Sequence, residues 1–261
     1  MSGRTGRIAL TREVSPSLAR CELTHVARVP IDVGRARAQH RAYEEALRAI
    51  GCEVRRLPHE PDLPDAVFVE DTAVIFEDLA VVTRPGAASR RGEVASVAET
   101  LGSYRPLRTI EAPATLDGGD VLVVGKTVFV GLSTRTNDEG ARQLAAAVAP
   151  HGYSVRRLIV RSCLHLKTAV TSVGPATVLL NPAWVDARAF GTFERIEVHA
   201  EEPWAANALA VGESVLYAAA FPRTRERLIA RGLDVRNVDL SELAKAEGGV
   251  TCCSLVLEAT P

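Results

Sequence analysis

Several features that would narrow the reading are missing from this chain of 261 residues. No run of about 18 apolar residues occurs, so no stretch is long enough to cross a bilayer as a helix. The first residues, Met1 to Arg7, hold no apolar segment of the kind a secretory leader carries. The five cysteines (Cys21, Cys52, Cys163, Cys252 and Cys253) are odd in number, and a bridge between the adjacent last two would be strained. A disulfide framework is therefore not expected, and a reducing cytoplasm is. Excess charge is missing too. The formal net charge is −1, so nothing favours nucleic acid or an acidic membrane as partner. Lysine is confined to Lys126, Lys167 and Lys245, which leaves arginine to carry the basic charge. Cys21 and His25 make half of a zinc site with no partner pair at ligand spacing, so no metal is expected.

What remains is an ordinary globular composition, 47% hydrophobic and 24% charged, with length enough for a large core. The stretch that organises the chain lies near its end, Gly248-Gly249-Val250-Thr251-Cys252-Cys253-Ser254-Leu255. Two glycines permit a sharp turn or a close approach. A cysteine then sits where a loop enters an apolar strand, a frequent address for a reacting group. The plainer alternative is a buried cysteine pair capping a strand.

The preceding chain repeats one order of elements. Arg7 to Arg12 reads as a strand, and Asp32 is positioned to cap a helix running to about Ile50. Cys52 to Leu57 reads as a second strand. Then a polar residue opens a hairpin, and a helix and another strand follow. The openings are Asp71, Asp120, His165, Asn207 and Cys252, spaced by 49, 45, 42 and 45 residues. Helices are expected from about Arg90 to Leu101, Asn137 to Ala149 and Thr224 to Ala230. The last opening has no return strand before Pro261, and the strand at Ile8 could supply it. A period of 40–50 residues marks radial or stacked architectures. Closure by the first strand predicts a five-module, pseudo-symmetric α/β propeller, residues 1–261 forming a single catalytic domain around a central active-site channel. An open α/β sheet is the alternative.

Such a channel brings one cysteine, one histidine and several carboxylates together, the parts for thiolate catalysis. A buried carboxylate needs a cationic or hydrogen-bonding partner. Asp65, Glu70, Asp71, Asp117 and Asp120 around one channel suggest a cationic ligand, and a planar guanidinium pairs well with carboxylates. Taken singly, His165 reads more readily as a satisfied core residue than as a reacting group, and Asp117 before Gly118-Gly119 as turn chemistry.

The segments FVEDTAV (68–74), TRPGAASRR (83–91), TLDGGDV (115–121), GLSTRTNDEGA (131–141), LHLKT (164–168), AAN (205–207) and GGVTCCS (248–254) resemble, in order, the dimethylarginine dimethylaminohydrolase family of guanidine-modifying enzymes. The resemblance runs from about Leu23 to the C-terminus. It implies the propeller fold and hydrolysis of asymmetric dimethylarginine or monomethylarginine to citrulline and an amine, with no cofactor. By motif, Cys252 resembles the nucleophile, His165 the general acid and base, and Asp117 the carboxylate paired with the histidine. Asp71, with Glu70 beside it, resembles the holder of the guanidinium. Asp65 and the Leu23 backbone resemble contacts to the amino-acid end. Arg90 and Arg135 resemble the pair on the α-carboxylate, and Ala246 another pocket position. The expected partner is a small methylated arginine, bound by a monomer or homodimer. The alternatives are a deiminase acting on another arginine derivative and a non-catalytic propeller that binds a cationic ligand.

Overall fold

The computed structural model describes residues 6–259. Strand β1 (Arg7–Thr11) leads to helix α1 (Val33–Ala49) and strand β2 (Cys52–Arg56). Asp32 caps α1 as expected, accepting the Arg35 N–H. The hairpin of β3 (Ala73–Ile75) and β4 (Ala80–Val82) is followed by α2 (Val94–Leu101) and β5 (Leu107–Thr109). The same order returns in β6 (Val121–Val124), β7 (Thr127–Leu132), α3 (Asp138–Val148) and β8 (Ser154–Ile159). The one-turn helix α4 (Leu166–Ala169) opens the hairpin of β9 (Val170–Gly174) and β10 (Thr177–Leu180), with β11 (Glu194–Glu197) after it. Then come β12 (Ala208–Val211), β13 (Ser214–Ala218), α5 (Pro222–Ala230) and β14 (Asp234–Val238). A short α6 (Ser241–Ala244) precedes β15 (Leu255–Glu258).

The strands make five three-stranded sheets of one topology, an antiparallel pair followed by a parallel one. The fifth sheet is completed by the start of the chain. β1 pairs antiparallel with β15, Leu10 opposite Leu255, and parallel with β2. The strand at Ile8 thus closes the ring as the sequence predicts.

Side-chain alternation explains why the sheets stand as blades. Successive residues of a strand point to opposite faces. In β7, Val128 and Val130 pack toward β4 of the preceding sheet, while Phe129 packs against Phe190 of the next. In β10, Leu180 faces one neighbour and Leu179 the other. In β1, Ala9 joins the cluster containing Leu216 of β13, and Ile8 joins Ala80 of β4. Both faces of each middle strand are therefore apolar, and one hydrophobic cluster fills each of the five junctions. The first strand of each module lies innermost, β15 beside β3 and β9 between β6 and β12. The result is a pseudo-symmetric α/β propeller.

Three expectations need correction. The His165 module carries no α-helix between its last two strands, only a 3-10 turn over Ala187–Phe190, because Pro182 and Gly191 bracket too short a segment. Apart from its carboxylates the run from Asp65 to Ile75 reads as a strand, yet Val69–Thr72 forms a 3-10 turn, since the Glu70 N–H donates to the Cys252 carbonyl instead of to a ladder. The helix expected from Arg90 is a 3-10 turn over Ala88–Glu93 and becomes α-helical at Val94.

Candidate active site

Each inner strand starts just after one of the polar openings, so the propeller gathers those openings at one end of its axis. His165 Nε2 lies 2.9 Å from Asp117 Oδ2, and His165 Nδ1 lies 3.7 Å from Asp71 Oδ1. All three are buried. Asp117 Oδ1 also accepts the Gly86 N–H, which fixes the carboxylate for the imidazole. Asp71 accepts from Arg90 Nη1 at 2.5 Å and from the Gly119 N–H at 3.0 Å. The second glycine of the LDGGD segment is there for space. A Cβ on Gly119 would lie 2.6 Å from His165 Nδ1 and 2.7 Å from Asp71 Oδ1. Gly249 is similarly confined by Asn207, whose Oδ1 would lie 2.4 Å from a Cβ.

The turn that carries Cys252 is held from three sides. Tyr43 of α1 donates or accepts at Ser254 Oγ and donates to the Val250 carbonyl. Asn207 bonds the Thr251 backbone and hydroxyl. Thr251 Oγ1 donates to Glu70 at 2.6 Å, and Lys167 Nζ donates to the other Glu70 oxygen at 2.7 Å. Cys252 is half-buried with the Gly249 N–H 3.2 Å from its sulfur, while Cys253 is fully buried in the core. Strand alternation is not the cause, because both cysteines lie in the turn before β15.

The charges are arranged for a cation. Burial pushes the Cys252 thiol well above its ordinary range, and Glu70 and Asp71 push it further. Burial opposes the charged form of His165, but Asp71, the Asp117 hydrogen bond and Asp120 outweigh it and raise the imidazole to about 9. Burial opposes ionisation of Asp71 as well, yet His165 and Arg90 hold it down to about 2. The resting site is a neutral thiol facing an imidazolium between carboxylates. Asp71, Asp117 and His165 offer ligand atoms within 4.8 Å of one another, close enough for a metal ion. The donors they present are already bonded to each other, to Arg90 and to backbone N–H groups.

A cleft of about 20 Å³ brings Asp65, Asp71, Arg90, Arg135, His165, Ala246 and Cys252 together. Asp117 stands behind His165, and Glu70 lies outside this lining, spent on Lys167 and Thr251. The Leu23 side chain packs on the core, between Glu22, which lines the cleft, and Thr24, which accepts from Arg135 Nη2. Arg90 is expected beside Arg135 on the α-carboxylate. Its guanidinium faces Asp71, both oxygens of Glu93 and the carbonyls of Asp65 and Phe68. Only the second Nη1 hydrogen has no partner among the described residues.

Two participants escaped sequence reasoning. Glu93 anchors Arg90, and its one signal was the i, i+3 spacing of opposite charges in SRRGE. Glu247 accepts the N–H groups of Thr24 and His25 at 2.6 and 2.8 Å and so straps the 22–25 loop over the cleft. Its backbone is left-handed, with φ of 60°, and nothing local to the sequence marks it. Among the described residues no helix is long and apolar enough to cross a membrane.

A family model described as N,N dimethylarginine dimethylhydrolase, eukaryotic, matches residues 28–258. The chain is 43% identical over 250 residues to an N(G),N(G)-dimethylarginine dimethylaminohydrolase of Streptomyces coelicolor, covering 95% of this chain and 96% of that one. Its identity to the enzyme of that name from Pseudomonas aeruginosa is 41% over 226 residues, 86% of this chain and 89% of the other. The solved structure of DDAH from Pseudomonas aeruginosa, a cysteine-to-serine mutant complexed with citrulline, superimposes with a TM-score of 0.91 at 38% identity, over 95% of this chain and 98% of that one. An arginine dihydrolase domain from cyanobacteria, ArgZ, shares the fold at 18% identity and a TM-score of 0.87, over 97% and 98% of the two chains. Similarity of this extent, joined to the cysteine, histidine and carboxylates gathered on the propeller axis, means that the chain belongs to the dimethylarginine dimethylaminohydrolase family.

Proposed function

We propose that the protein hydrolyses Nω-methylated arginines to citrulline and dimethylamine or methylamine, the five modules acting as one catalytic domain. The observation that carries this is the meeting of Cys252 with the Asp71–His165–Asp117 chain in one cleft. Cys252 is the nucleophile and His165 the acid and base. Asp117 holds the imidazole, and Asp71 with Glu70 behind it supplies negative charge to the guanidinium. Arg135 takes the α-carboxylate, assisted by the free Arg90 hydrogen. Asp65 and the backbone at Leu23 meet the amino group, and Ala246 packs on the substrate stem.

The electrostatics make a consistent sequence. The substrate cation offsets Glu70 and Asp71, so the Cys252 thiol loses its proton to water when the guanidinium is in place. The thiolate bonds to the guanidinium carbon. The imidazolium gives its proton to the departing amine as the carbon–nitrogen bond breaks, leaving a thiouronium on Cys252. Neutral His165 then takes a proton from water, whose oxygen bonds to the carbon. The carbon–sulfur bond breaks as the second proton of that water passes to the sulfur, so citrulline leaves and the neutral thiol and the imidazolium are restored. A free thiol is required, which fits a reducing cytoplasm. All the proposed groups come from one chain, so a monomer or homodimer suffices.

The test measures citrulline and amine released from asymmetric dimethylarginine. Cys252→Ser and His165→Ala are each expected to stop turnover in a folded protein, and Cys253→Ser to keep it. Substantial release by folded Cys252→Ser would remove the assignment. Running arginine in parallel addresses the deiminase reading, for which kcat/KM on arginine would exceed that on dimethylarginine.

A further inference from the structure

Cys252 forms a wall of two cavities. One is the narrow acidic cleft. The other, of about 320 Å³, adjoins it, and Leu164, Glu247 and Gly248 also line both. The second chamber is apolar. Trp204, Ala218, Ala220, Phe221, Leu240 and Ala244 face it. Its polar neighbours are already occupied. Asn207 is bonded to Thr251 and the Lys167 carbonyl, Asp239 to Ser241 and Arg35, and Glu247 to the loop at Thr24 and His25. Nothing in the reaction with a methylated guanidinium calls for a space this large.

We infer that this chamber receives the substituent on the departing nitrogen, and that the enzyme hydrolyses arginines carrying Nω-alkyl groups larger than methyl. The inference rests on the reading of Cys252 and His165 given above. The amino-acid end belongs with Asp65 and Arg135 in the cleft, and the reacting carbon belongs at the Cys252 sulfur. The departing nitrogen must stay within reach of His165. Leu164, the neighbour of His165, lines both cavities, so the nitrogen's substituent can point past that side chain into the apolar space. An apolar cavity of about 150 Å³ accommodates benzene, so this one has room well beyond two methyl groups. The chemistry is unchanged. The carbon–sulfur bond forms as the bond to the alkylamine breaks, His165 supplies the proton, and water completes citrulline.

The experiment compares kcat/KM for monomethyl-, propyl- and butyl-substituted Nω-arginine, with citrulline and the alkylamine both measured. Propylarginine is expected to equal or exceed monomethylarginine, with a gain of up to roughly fourfold for each methylene buried. Ala218→Leu and Ala244→Leu narrow the chamber away from the reacting groups. Each is expected to lower the propyl value by about tenfold or more while leaving the methyl value nearly unchanged. Ala244 is exposed on α6, so that variant serves if Ala218→Leu fails to fold. A wild-type enzyme that processes dimethylarginine but loses activity from methyl to propyl overturns the inference alone. Equal losses on both substrates in the filled variants also overturn it. A protein inert toward dimethylarginine removes instead the reading beneath it.

Discussion

At the scale of single residues, the site is organised by charge held where water cannot screen it. His165 is flanked by Asp71 and Asp117, and their pull outweighs the burial that favours the neutral ring. The sign of the pH dependence follows. In the proposed reaction the imidazolium protonates the departing amine, and with its pKa raised to about 9 it persists through neutral pH and is lost as the pH climbs past that value. The thiol, pushed upward, ionises more readily as pH rises. The profile of kcat/KM, which reports the free enzyme, is expected to rise through neutral pH on a limb that levels off near 9, where loss of the imidazolium offsets the gain in thiolate. Asp117→Asn removes a charge and weakens the hydrogen bond that holds the imidazolium, so the limb should move toward the ordinary histidine value of about 6.5. A limb that stays in place in this variant would belong to another group.

Elements convert those residues into a closed site. The 3-10 turn at Val69–Thr72 presents Glu70 and Asp71, and the turn before β15 presents Cys252. Their backbones are joined by the Glu70 N–H and the Cys252 carbonyl, which ties the two turns together. The 22–25 loop is different, being mostly exposed. It is secured by Glu247, by Asp65 accepting the Glu22 N–H, and by Arg135 at Thr24. Glu247→Ala removes a charged acceptor from two N–H groups. Hydrogen bonds to charged groups contribute about 1.5–3 kcal/mol, and amide exchange at Thr24 and His25 should therefore accelerate roughly tenfold to a hundredfold. Exchange no faster than in the wild type would show that the loop is held by its other contacts.

The whole molecule depends on ring closure. Because each middle strand packs apolar side chains on both faces, every sheet needs two neighbours, and β1 supplies the middle of the sheet that joins the chain's two ends. Leu10 is fully buried there, opposite Leu255. Leu10→Ala is expected to cost about 2–5 kcal/mol, or roughly 5–15 °C in Tm for a protein of this size. It should also loosen the Cys252 turn, which leads directly into β15, and raise the alkylation rate of Cys252. A melting temperature within a degree or two of wild type would show that the closing strand is not where the ring is secured.

The sequence alone determined the elements and their order. Apolar alternation placed most of the strands, Asp32 and Asn137 cap their helices as residue type predicts, and the regular return of a polar residue before each hairpin foretold five modules closed by the first strand. These are local properties, set by side-chain periodicity and by which groups satisfy helix ends. The motifs likewise mark Cys252, His165, Asp71, Asp117 and Arg135 as candidates. Only the tertiary structure decided how these groups share their charges. It turned most of the Arg90 guanidinium toward Asp71 and Glu93, gave Glu70 to Lys167 and Thr251, and drew Glu247 across to the 22–25 loop. It also opened an apolar chamber beside the thiol from residues of distant segments. A carboxylate's role depends on which cation reaches it in space, and a cavity on what several segments leave unfilled. Neither is a property of the neighbouring sequence.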